Sequence, residues 1–188
     1  MLNEIELKSI IASGEGYNAE FKVRFPSKVK ELTEEICAFA NAAGGTLLIG
    51  VDDQNNIQGV SFDNAKHSAL QNSVDEISPS LHCDVYTVTI DGKEIIVIEV
   101  PSGEQKPYVL SGAIYVRQGP NTQKLTTVEE MRDFFQQAVK IAINPVHQFF
   151  ANSFLQRVMP VFNQWLDSGQ QGQPFFGQVH FLPALVLL

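Results

Sequence analysis

The residues whose types and spacing are suited to chemistry are four carboxylates and a lysine. Glu15 stands five positions before Glu20, Lys22 follows Glu20 by two, and Asp52-Asp53 close the apolar run Thr46–Val51. Glu20 and Lys22 alternate with Phe21, so in a strand they share a face. If that strand neighbours Thr46–Val51, then Glu20, Lys22 and Asp53 converge and Glu15 approaches from the preceding loop. Such a group would hold a divalent ion through hard oxygen ligands, with the lysine orienting a water or steadying negative charge during phosphodiester cleavage. The alternative is a same-face Glu20–Lys22 ion pair and an Asp52-Asp53 turn without chemistry. Spacing leaves both readings open.

Cations are unevenly spread. Lys22, Arg24, Lys28 and Lys30 fall within nine residues without an intervening acid, and Lys106, Arg117 and Lys124 come later. A local positive surface for phosphate contacts and an ordinary solvated face are both compatible with this pattern. The net charge of −8 argues against a sequence-blind DNA coat, which needs a basic surface. His67, His82, His147 and His180 form no i,i+4 pair, so neither a zinc site nor a histidine triad is written here. Gly44-Gly45 has the wrong order for a phosphate loop, since it closes a helix and opens a strand; an αL helix stop is the better reading. With no G-x-x-x-x-G-K-[ST], an ATPase is not indicated.

These residues must be positioned by an alternation of helices and strands. The spacing predicts a helix capped by Asn3 and ending near Ser13–Gly14, with Ile5, Leu7, Ile10 and Ile11 as its stripe. A half-buried strand Tyr17–Phe25 follows, with Phe21, Val23 and Phe25 on its dry face. Ser27 is expected to cap a helix to about Ala42, leading into Thr46–Val51, too apolar to face water on either side. A hairpin arm at Ile57–Val60 and a helix from Asp63 to about Ile77 come next. Two hairpins turn at Asp91-Gly92 and Ser111-Gly112, and Thr126 or Thr127 opens a last helix to about Ala142. Strands interleaved with helices but joined by tight hairpins imply an α+β fold with mixed sheets and flanking helices.

The chain of 188 residues has room for one domain, expected over 1–143, and an appendage over 144–188. In the appendage, Val146–Leu166 reads as an amphipathic helix kinked at Pro160 and is a candidate for docking or dimerisation. Cys37 and Cys83 show no metal or disulfide spacing, consistent with reduced thiols in a cytoplasmic protein. No signal peptide is written at the N-terminus, and Phe181–Leu188 is far short of a membrane span.

Taken together, E-x-x-x-x-E-F-K (Glu15 to Lys22), ICAFANAAGGTLLIGVDD (Ile36–Asp53), IQGV (Ile57–Val60), KPY (Lys106–Tyr108) and YVRQG (Tyr115–Gly119) resemble the Schlafen AlbA_2 domain, over about Leu7 to Arg132. The resemblance implies the lobe fold of that family and a nucleic-acid-binding module of a transcriptional regulator, with DNA or structured RNA such as tRNA as partner. Lys22, Arg24, Lys28, Lys30, Lys106 and Arg117 would make the contacts. In the Schlafen branch it implies instead an Mg²⁺- or Mn²⁺-dependent endoribonuclease. Its metal carboxylates would be Glu15, Glu20 and Asp53, with Lys22 assisting. A protein-interaction module is the third reading. A homodimer would supply the second lobe of the vertebrate Schlafen core. The family's winged helix and zinc-binding residues have no counterpart here.

Overall fold

Asn3 begins the first helix by a reciprocal cap: its Oδ1 accepts from the Glu6 amide at 3.0 Å and its own amide donates to Glu6 Oε2 at 2.8 Å. The computed structural model describes residues 1–136. The expected continuation of the last helix to Ala142, the boundary at Asn144-Pro145, the kinked helix Val146–Leu166 and the apolar tail lie outside the described residues. The chain divides into Met1–Asp133 and a unit from Phe134 onward.

Helix α1 spans Glu4–Ser13, and only Leu7 and Ile11 of its expected stripe are buried, one turn apart on one face. Strands β1 (Ala19–Lys22), β2 (Gly44–Ile49), β4 (Asp84–Ile90) and β5 (Lys93–Pro101) form a sheet in the order β1-β2-β5-β4. Strand β1 runs parallel to β2, and the other pairings are antiparallel. Leu47, Leu48 and Ile49 of β2 are completely buried, because this strand is flanked on both edges and covered on both faces. On one face Leu48, Phe21, Ile95 and Val97 meet Leu7 and Ile11 of α1. On the other, Leu47, Ile49, Ile96 and Ile98 join Leu32, Ile36 and Phe39 of α2 (Lys30–Asn41).

A second sheet has the order β3-β6-β7-β8, from Ile77–Ser78, Val109–Leu110, Ala113–Gln118 and Asn121–Lys124. Its Leu110, Ala113 and Tyr115 enter the same core as α2, so α2 ties the two sheets together. Helix α3 (Asn64–Val74) is capped by Asp63, whose Oδ1 accepts from the Lys66 amide. The two expected hairpin turns have positive φ at both central residues, Asp91 and Gly92, Ser111 and Gly112, which is the geometry that matches strand twist. Glu130 Oε2 accepts from the Thr126 and Thr127 amides and the Glu130 amide donates to Thr127 Oγ1, opening the helix at 128–136. The α+β architecture with mixed sheets is as expected.

Several local expectations are corrected. The strand expected over Tyr17–Phe25 keeps only four residues, with both Glu20 and Phe21 buried. Its polar face is not wet, because α2 and β7 cover it; Val23 is exposed and Phe25 stacks near Phe62. Helix α2 starts at Lys30 with Val29 at its cap and no side-chain cap, not at Ser27. Ile57–Val60 makes only the bridge Val51↔Ile57, since the amides of Gln58 and Gly59 both turn to the Gly50 carbonyl. Helix α3 stops at Val74, so Ile77 belongs to β3. The double glycine is not the helix stop either: Ala42 holds the C-cap and β2 begins at Gly44. Gly44 is needed for its φ of +82°, and Gly45 because a Cβ there would lie 2.3 Å from Phe39 Cδ1.

Candidate functional site

Strand β1 is an edge strand, so half of its backbone groups find no partner in β2. Two devices supply them. The Ala19 carbonyl accepts from the Gly16 amide at 3.0 Å, and the Phe21 amide donates to Glu15 Oε1 at 2.9 Å. Glu15 therefore closes the free edge of β1, and the five-residue spacing to Glu20 is the length of loop needed to fold back along that edge.

Glu20, on the face toward α2, is 8 % exposed, and its two oxygens are both engaged. Lys22 Nζ lies 2.5 Å from Oε1, and the Arg117 guanidinium donates to Oε2 through NH1 and NH2, each at 3.3 Å. Arg117 NH1 also reaches Glu35 Oε2 at 2.7 Å and Thr122 Oγ1 at 3.1 Å, while NH2 reaches the carbonyls of Gly16 at 2.8 Å and Pro120 at 2.7 Å. The guanidinium carbon sits 4.6 Å from the Phe39 ring centroid. Its Nε finds no partner. One side chain of β7 thus binds β1, the loop before it, α2 and β8.

Burial pushes the Glu35 carboxyl above its ordinary range, against the Thr122 hydroxyl and the Arg117 charge that hold it down. For Lys22 burial works to lower the pKa, but the hydrogen bond and charge of Glu20, with Glu35 and Glu15 behind it, outweigh burial and raise it. Glu35 was not singled out from the sequence. The signal was there: it stands three residues after Leu32 and four before Phe39, both completely buried, which places it on the core side of α2.

Glu15 and Glu20 both lie close enough to act on Lys22, but the expected three-carboxylate ligand set does not form. Among the described residues no three of histidine, cysteine, aspartate or glutamate form a group that could hold a metal. Asp52 instead accepts from the Gln54 and Asn56 amides and from Gln58 Nε2, which orders the turn after β2; the Asn56 amide is the leading cause that keeps its pKa low. Asp53 is exposed on that turn. The electrostatics agree: Glu20 and Glu35 are matched by Lys22 and Arg117, and Glu15 is engaged by the Phe21 amide, so these carboxylates already have partners in place of a hard dication. The residues present do not fit an Mg²⁺ or Mn²⁺ ion in this arrangement.

The expected phosphate contacts divide similarly. The Arg117 side chain is fully buried and has no face to offer. Lys22 is held by Glu20. Lys106 donates to the Ala42 carbonyl and, at 3.0 Å, to Ser102 Oγ, an ammonium placed at the negative end of α2; burial lowers its pKa. Arg24, Lys28 and Lys30 are exposed, and none of them forms an ion pair among the described residues. They lie between β1 and the first turn of α2, whose N-terminus carries no side-chain cap.

The sequence blocks around Asn41, Tyr108 and Tyr115 have structural explanations as well. Buried Asn41 accepts from the Tyr108 amide at 2.7 Å and donates to the carbonyls of Tyr108 and Tyr115, each at 2.8 Å. It replaces the sheet partners that those backbone groups lack. Tyr115 Oη donates to Glu34 Oε1, and burial, with Glu34 beside it, pushes the phenol up to about 12.

Compared with known proteins, residues 15–126 match the profile of the family described as Schlafen, AlbA_2. No curated protein matches significantly. Two solved structures are similar. The DIP2311 protein of Corynebacterium diphtheriae aligns at 20 % identity with a TM-score of 0.49, covering 63 % of this chain and 29 % of that one. The N-terminal domain of a RecG-related protein of Nitrosomonas europaea aligns at 24 % identity with a TM-score of 0.45, covering 68 % of this chain and 95 % of that domain. The chain thus matches less than a third of the length of the Corynebacterium protein. Among the described residues no helix is long and apolar enough to cross a membrane.

Proposed function

The chain belongs to the Schlafen AlbA_2 family, and from that premise we propose that it is a nucleic-acid-binding module whose phosphate contacts are made by Arg24, Lys28 and Lys30. The observation that carries this reading is the exposure of these three cations without a carboxylate partner among the described residues, on a chain whose net charge is −8. An acidic protein that leaves its surface cations unpaired in one place has a local field of the sign a phosphate chain seeks. The uncapped start of α2 adds the positive end of its dipole at the same place. The role of Arg117 in this reading is to hold β1, α2 and the second sheet in register around the strip.

Function as a transcriptional regulator and as a homodimer belongs to the same proposal; the segment 146–166 on which a dimer would rest lies outside the described residues. We do not build on the nuclease reading, because among the described residues no three histidine, cysteine, aspartate or glutamate side chains form a group to hold its ion.

A salt titration of oligonucleotide binding by fluorescence anisotropy tests the proposal. Three phosphate contacts give a slope of log K against log salt of about −2 to −3, and replacing all three cations by glutamine removes that much of it. Absence of binding at low salt, or a slope unaltered in the triple variant, would overturn the assignment.

A further inference from the structure

A groove of about 580 Å³ opens at the start of β1, between the end of α1, the loop carrying Gly14 to Asn18 and the turn from α2 into β2. Its position is fixed by the features already described. Gly45 lies against Phe39 and the Asn18 carbonyl, which draws the turn close to the loop, and Arg117 and Glu15 hold the loop from below. The floor is therefore tied to the core rather than to mobile surface chain.

Its chemistry differs from that of the basic strip. The lining contains no lysine or arginine; it offers the hydroxyls of Ser9, Ser13 and Thr46, the Asn18 amide and the Glu15 carboxylate. Helix α1 ends at this groove and presents the negative end of its dipole to it beside Glu15, while the end of α2 is met by Lys106. Phosphate is disfavoured here, and a neutral group rich in hydrogen-bond donors is favoured. Tyr17, in the lining, is 46 % exposed, an aromatic face left to solvent beside polar acceptors. A volume within the usual range of ligand sites, one aromatic platform and convergent acceptors match an unstacked nucleobase, whose ring stacks and whose amino group donates.

Resting on the nucleic-acid reading, we propose that this groove is a base-binding subsite, in which Tyr17 stacks on an unpaired base of a single strand while the backbone runs to Arg24, Lys28 and Lys30. The two features lie at opposite ends of the same strand. Strand β1 separates Ala19 from Lys22 by about 10 Å at the usual rise, a span that a strand of a few nucleotides bridges. The subsite makes the protein prefer single strands over duplex, since a paired base cannot leave its stack without cost.

The test uses the full chain, a labelled short oligoadenylate, and the duplex that it forms with oligouridylate. The wild type binds the single strand more tightly than the duplex. Tyr17→Ala weakens single-strand binding roughly 5- to 100-fold, leaves duplex binding and the salt slope unchanged, and Tyr17→Phe restores the affinity. Equal binding of single strand and duplex, with Tyr17→Ala indifferent, overturns the subsite and leaves the basic strip standing. Failure of both probes to bind at low salt overturns both. Tyr17 being exposed, its replacement does not disturb the fold, which a thermal melt of the variant checks.

Discussion

Replacing Arg117 by methionine is the sharpest test of how the charge cluster holds the molecule together. The change keeps most of the aliphatic volume against Phe39 and removes the guanidinium, leaving Glu35, with a side chain 15 % exposed, no cation and only the Thr122 hydroxyl, while Glu20 keeps Lys22. The carbonyls of Gly16 and Pro120 lose their donor at the same time. Removing one partner from a buried ionic group costs about 3–5 kcal/mol, because the remaining charge stays buried without compensation. Unfolding entropy for a unit the length of Met1–Asp133 is roughly 0.3 kcal/mol/K, so Tm should fall by about 10–18 °C.

The loss should also depend on pH. Glu35 already titrates above its ordinary value, with burial the leading cause and Arg117 among the groups holding it down. Without Arg117 its folded pKa rises further above the unfolded value. The folded state then binds more protons than the unfolded state, so stability is regained as pH falls through the raised pKa. The gap between variant and wild type should therefore narrow from neutral towards mildly acidic pH. Urea melts across that range, read by far-ultraviolet circular dichroism, measure it. Adding Glu35→Gln to the variant removes the stranded charge and should recover more than half of the loss. A single variant within about 1 kcal/mol of wild type would refute the reasoning, since the cluster would then lie outside the range for buried groups. So would a double variant no more stable than the single one.

Two further substitutions separate structural from chemical roles. Glu15→Ala should strip the Phe21 amide of its acceptor and speed its hydrogen exchange, at a stability cost of about 1–2 kcal/mol; Glu15→Gln, which keeps an oxygen acceptor, should leave that amide protected, and equal exchange in the two variants would show that the carboxylate does not close the strand edge. Gly45→Ala should cost about 1–3 kcal/mol in a denaturant melt through overpacking against the Phe39 ring, with Phe39→Leu relieving it. A Gly45→Ala protein as stable as wild type would mean that the ring moves freely, and the close approach would not explain this glycine.

The sequence by itself determined the elements whose signals are local. The Asn3–Glu6 cap, the two-residue hairpin turns, the Thr127–Glu130 cap and the doubly buried β2 each rest on interactions within a few residues or on a run of apolar side chains. The α+β class followed from their alternation. Tertiary structure alone decided what the polar residues do. Whether Glu20 faced water, an ion or a cation depended on a residue 97 positions away, because Arg117 reaches it across the join of the two sheets. The same contact removed Arg117 from the phosphate surface and drew in Glu35, while Arg24, Lys28 and Lys30 are exposed and form no ion pair among the described residues. Spacing shows that two carboxylates lie near each other along the chain; it carries no information on what fills the space between them. Burial and ion pairing are properties of the assembled interior, and they placed Glu20, expected as a metal ligand, in an ionic staple with Lys22 and Arg117 beneath the proposed binding surface.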